Sequence, residues 1–146
     1  MIDPSNQQLV IQLHLFATLL MTGVVWFVQL VHYPSFRFVA NEKGPEAVRF
    51  HQRYTSMLVI PLMLVEMGTA ILLMLSSWVT QYGNYLLINL ALLFLIWSVT
   101  FLRMFPIYRR LNQNMNEETI SSLISTNWIR TLLWTARAVL LLSFLN

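Results

Sequence analysis

The sequence has no cysteine, a single aspartate and few charges of either sign. Without cysteine there is no disulfide, no thiolate metal site and no cysteine nucleophile. Asp3 is the only aspartate, so a Ser/His/Asp triad has one terminal residue to draw on. There is no Gly-rich phosphate loop and no H-E-x-x-H spacing, and Glu66 has no histidine three or four residues away. Charged residues make up 10% of the chain, where a soluble domain carries roughly 25%.

Apolar sequence fills the space. Of 146 residues, 57% are hydrophobic, more than a soluble domain of this length could cover. The length fits one domain. Four apolar runs, Leu9 to Val31, Met57 to Trp78, Tyr85 to Leu102 and Trp128 to Leu145, each approach the roughly 20 residues that cross a bilayer core. Backbone groups in lipid must pair within their own segment, so each run is expected to be helical. The expected fold is all-α: an integral membrane, four-helix, up-down bundle forming one transmembrane domain over residues 1–146. The first run does not resemble a secretory signal, because Asp3 and no Lys or Arg precedes it and it is too long.

Loop charges predict the orientation. Arg37, Lys43, Arg49 and Arg53 lie between the first two runs, and Arg103, Arg109, Arg110 and Arg130 flank the third loop. The terminal tails and the predicted turn at 79–84 carry neither Lys nor Arg. The positive-inside rule then puts both charged loops in the cytoplasm and both termini outside, as in a bacterial inner-membrane protein. The formal charge of +3 and pI near 9.7 read as loop charge facing anionic lipid rather than nucleic acid. Within the first loop, Gly44-Pro45-Glu46 predicts a helix start with proline in its first turn, and Pro61 predicts a kink. Asn116-Glu117-Glu118 predicts an N-cap and acidic first turn for a short surface helix.

Polar residues within apolar runs are expensive and need partners. On the first helix, His14, Thr18, Thr22, Gln29 and His32 fall within an arc of about 80°. That stripe should face the interior, either for helix–helix hydrogen bonding or for a site. On the second, Met63, Glu66, Met67, Ala70 and Met74 share an arc of about 100°; the methionines read as packing. Glu66 and Arg137 each lie about nine residues into their helices, near mid-depth at a rise of about 1.5 Å per residue. Each charge alone would cost about 2.5–3.5 kcal/mol, so an ion pair is expected. It is either a register pin or a charge site, with both residues candidates for catalysis or proton relay. Arg130, Trp134, Arg137 and Leu141 share a face of the fourth helix. Met74 and Asn89 should lie at the depth of His14, itself either hydrogen-bonded or, as histidines in such bundles often are, a haem iron ligand. At the other end Gln29, His32, Tyr33, His51, Tyr54, Trp128 and Arg130 should gather, as interfacial anchors or as a headgroup or quinone site.

Leu13-His14-Leu15-Phe16, Val25-Trp26-Phe27 and Tyr33-Pro34 resemble the first helix of the oxygen-independent protoporphyrinogen oxidase membrane family and the related copper-resistance D-type domain. Weaker similarity runs through Thr55 to Leu72 and Asn127 to Leu142. The resemblance implies a bundle binding haem b, with His14 matching the haem-linked histidine, and electron transfer from a porphyrinogen to a respiratory carrier. The chain departs from the family in lacking a lysine in its last helix, where Arg137 is the basic residue, and in being shorter. The leading expectation is therefore a haem b membrane oxidoreductase. The alternative is a non-enzymatic small membrane carrier or an accessory subunit of a larger membrane complex. Expected partners are the lipid bilayer and a respiratory electron carrier, with homo-oligomerisation left open and nucleic acid excluded.

Overall fold

The structure, a computed structural model, describes residues 4–39 and 41–144. Asp3 and the predicted end of the fourth run at Leu145 lie outside these residues. The described chain is helical apart from short connections, with no strand among the described residues. Helix α1 spans Pro4–Phe27, α2 Gly44–Met74, α3 Val79–Val99, α4 Phe105–Gln113 and α5 Glu117–Phe144. Three stretches are long and apolar enough to cross a membrane: Asn6–Phe38, Gly44–Met74 and Val79–Gln113. The fourth long helix, α5, is less apolar because it carries Asn127, Arg130 and Arg137. All three are buried against its neighbours.

Several boundaries differ from those expected. Helix α2 ends at Met74, the connection falls at 75–78, and α3 already begins in the predicted 79–84 turn. The irregularity there is a kink at Tyr82, at φ −122° and ψ 17°. Helix α2 does start at Gly44 with Pro45 in its first turn. It continues as one helix through Pro61, which lies on its outer face. Asn116 Oδ1 accepts from the Thr119 backbone N–H at 2.8 Å, the expected N-cap bond. The helix it caps is not a separate surface helix, because no proline or glycine interrupts Glu117–Phe144.

Two π turns break the regular spacing, at Val28–His32 after α1 and Thr100–Met104 between α3 and α4. Each ends two residues before a proline, Pro34 and Pro106. A proline ring inside a helix collides with the preceding turn and removes a backbone donor. Inserting one residue into that turn widens it and keeps the chain helical.

Helix α1 packs against α2 and α5, and α3 packs against the same two. Three apolar clusters stack along these helices. Ile11, Leu73, Leu86 and Leu141 lie nearest the termini; Met21, Val25, Met63, Ile96 and Trp134 come next. A larger cluster around Val28, Tyr33, Val48, Met104, Leu111 and Leu123 fills the end that carries the charged loops. There Gly44 allows close approach, since a Cβ would stand 2.8 Å from the Met115 Cβ. Arg37 ties the first loop to α5 through Glu117 at 2.8 Å. Large apolar side chains point outward, Phe16 at 63%, Leu64 at 58% and Leu132 at 59% exposure. The polar His14, Glu66 and Arg137 are fully enclosed. This inverts the distribution of a water-soluble fold.

Candidate functional site

Between the first two apolar clusters, all four long helices contribute to one polar layer. Arg137 donates from Nη1 to Glu66 Oε1 at 2.6 Å, and both side chains are fully buried. The ion pair expected from equal depth is thus formed. Thr18 donates to the same Glu66 oxygen at 2.8 Å, and Trp134 Nε1 lies 3.2 and 3.1 Å from the two carboxylate oxygens. On the other side of the guanidinium, Arg137 Nε donates to Asn89 Oδ1 at 3.0 Å. The Asn89 amide nitrogen in turn meets His14 Nε2 at 2.9 Å, joining α3 to α1 across the diagonal. Arg137 Nη2 approaches the same His14 nitrogen at 3.3 Å.

These contacts fix the His14 tautomer. Asn89 and Arg137 can only donate through nitrogen, so Nε2 carries the lone pair and Nδ1 the proton. Nδ1–H then donates to Thr69 Oγ1 at 2.7 Å, and Thr69 passes its own proton to the Val65 carbonyl at 2.6 Å. Donors and acceptors close on one another, as a buried polar network must to be stable. The layer can hold two opposite charges and fix helix register.

A haem does not fit these residues. Iron ligation needs the Nε2 lone pair that Asn89 and Arg137 occupy. Met74 belongs to the apolar cluster nearer the termini, and Asn89 serves the network rather than an open face. Among the described residues, no group of three or more His, Asp or Glu is placed to share a metal ion.

The second polar layer differs. A cavity of about 320 Å³ lies between α2, the end of α3, α4 and α5. Its polar wall includes Tyr33, His51, Tyr108 and Arg130, with Gln52, Thr55, Ser56 and Thr100 beside them. Tyr33 and Tyr108 share a hydroxyl–hydroxyl bond of 2.5 Å, and Tyr108 continues to His51 Nε2 at 3.1 Å. The apolar wall includes Val59, Met63 and Trp97. Ile60, Leu64, Phe101 and Phe105 rim the opening and are half exposed, so the mouth lies on the apolar outer face. The second π turn borders this cavity through Thr100 and Met104, and Tyr33 follows directly on the first.

Arg130 is 7% exposed, and its Nη1 donates to Asn127 Oδ1 at 3.1 Å while the guanidinium lies 5.1 Å from the Trp134 ring centroid. Its buried Nε has no partner, and neither has the buried Nε1 of Trp97.

The other residues expected at this end do not all join. His32 stacks on His51 at 4.3 Å, but faces a shallower groove between α1 and α2 that it shares with Tyr54. Tyr54 is half exposed and packs on Phe50. Gln29 accepts from Asn127 at 2.9 Å and belongs to the α1–α5 contact. Trp128 meets Trp26 edge-on near the surface. Sequence reasoning missed Thr69, Asn127, Trp97 and Tyr108. The aromatic-Pro pairs Tyr33-Pro34 and Phe105-Pro106 were the available signal for Tyr108, since both mark chain that stays helical beyond the apolar run.

No family model matches the chain, and no curated protein or solved structure matches it.

Proposed function

We propose that the chain is a non-enzymatic integral membrane protein that takes a bilayer-soluble ligand into the cavity between α2, α3 and α5. It inserts as a four-helix up-down bundle in a bacterial inner membrane, with both charged loops in the cytoplasm and both termini outside. Three sufficiently apolar helices support insertion, as does the outward-facing apolar surface. The fourth helix can follow because its two arginines turn inward, where they cost far less than in hydrocarbon. Lys/Arg asymmetry between the loops supports the orientation.

The observation that carries the ligand reading is the lateral mouth: apolar residues rim an opening whose inner wall is polar. A cavity of that size with a few converging polar groups has the form of a small-molecule site. The closed central layer serves as the register pin that holds the helices around it. Haem-dependent oxidation of a porphyrinogen draws no support from His14, whose nitrogens are both engaged.

Native mass spectrometry of the protein released from membrane-derived nanodiscs tests the reading. Wild-type protein should retain one small amphiphile per chain. Filling the cavity by Val59→Trp, or more conservatively by Ser56→Phe, should abolish retention while helicity by circular dichroism is kept. No retained mass in wild type, or equal retention in folded cavity-filled variants, would refute it. A reporter fused at the C-terminus that is active only in the cytoplasm would refute the orientation.

A further inference from the structure

The cavity holds a cation with no anion. Arg130 is more than nine-tenths buried. Among the described residues the two carboxylates in ion pairs are Glu117 and Glu66, neither of them with Arg130. Its partners are a neutral amide, an aromatic face and the Tyr33 hydroxyl, none of them charged. A buried guanidinium left without a counter-charge is costly, and its planar fork matches a carboxylate or phosphate. Two further features point to an acceptor from outside the chain. Arg130 Nε and Trp97 Nε1 are both buried N–H donors without partners, and both residues line this cavity. Buried donors in native proteins are nearly always satisfied, and both orphans belong to residues of this cavity's wall, just beneath its accessible surface. The polar wall offers neutral acceptors alone, the hydroxyls of Tyr33, Thr55, Ser56, Thr100 and Tyr108 and the amide of Gln52, and no anion.

Resting on the ligand reading above, we infer that the occupant is a single-chain acidic amphiphile, a long-chain carboxylate such as a fatty acid. Its head pairs with Arg130 and its tail runs along Val59, Met63 and Trp97 to the lateral mouth. The volume of about 320 Å³ is on the scale of one such chain. A quinone would satisfy the orphan donors through its carbonyl oxygens but would leave the Arg130 charge unbalanced.

The test is competitive binding, read by native mass spectrometry at pH 8. Delipidated full-length protein in nanodiscs is offered equimolar hexadecanoic acid, hexadecanol and decylubiquinone, whose adducts differ in mass. The expected result is one acid adduct per chain, favoured over the alcohol by roughly tenfold or more, the scale of one added charge-assisted hydrogen bond. Arg130→Gln should reduce that preference to near unity, Arg130→Lys should keep part of it, and Trp97→Phe should weaken acid binding severalfold. Equal binding of acid and alcohol to wild type, or preferential binding of the quinone, overturns the acidic ligand while the cavity reading stands. Arg130→Gln protein that keeps the acid preference overturns it as well. Binding of none of the three overturns both.

Discussion

Two polar layers cross this small protein, and they are built in opposite ways. Around Arg137 the guanidinium nitrogens all have partners: a carboxylate on one side, an amide and an imidazole on the other. Around Arg130 there is a cavity, no carboxylate and two orphan donors. The two arginines lie seven residues apart, two turns along one face of α5, and each is at least nine-tenths buried. What separates them is the opposite helix, for α2 offers Glu66 to one and the open cavity wall to the other. Burial of a charge therefore does not mark a site; an unfinished set of partners does.

The contrast breaks most visibly at the ion pair. Glu66→Leu or Arg137→Leu leaves one enclosed charge alone and should destabilise by about 3–5 kcal/mol. The double variant Glu66→Leu/Arg137→Leu should recover much of that loss, because it leaves no lone charge. Thermal unfolding in a mild detergent measures it, and a double variant no more stable than the worse single would contradict the pairing.

His14→Ala comes next, at about 1–3 kcal/mol, since Asn89 and Arg137 lose an acceptor. The same preparation separates structure from cofactor. Wild-type protein made with ample haem should show no Soret band; a band abolished by His14→Ala would restore the haem expectation.

The ion pair and the interior stripe of α1 were legible in the sequence because helical periodicity and depth are both linear quantities. A carboxylate and a guanidinium equally deep on antiparallel helices have few other places to go. His14, Thr18 and Gln29 do face inward. Asn89, expected at the depth of His14, does meet it, whereas Thr69 was not legible because its contact depends on rotation about the α2 axis. Met74 illustrates the limit: it packs with the apolar cluster nearer the termini rather than in the polar layer. The cavity escaped because it depends on π turns that carry the helices past Pro34 and Pro106. With those turns read as loop, Tyr108 had no helix to stand on.

Smaller effects sharpen the second layer. Tyr108→Phe removes the hydroxyl between Tyr33 and His51 and should cost about 0.5–1.5 kcal/mol, read as a lower unfolding temperature. Gly44→Ala sets a methyl against Met115. It should cost about 1–3 kcal/mol if the loop packing cannot yield and less if it can. In either case the loss should be additive with Arg137→Leu, because the two sites share no partner.

The most direct measurement sets Arg130→Gln beside Arg137→Gln in the same nanodiscs, recording unfolding temperature and retained amphiphile together. The account predicts that Arg130→Gln protein unfolds within a few degrees of wild type and retains roughly tenfold less acid, whereas Arg137→Gln protein is strongly destabilised. The reverse outcome, with Arg137→Gln folded but empty and Arg130→Gln still carrying ligand, would contradict it and move the functional site to the central layer.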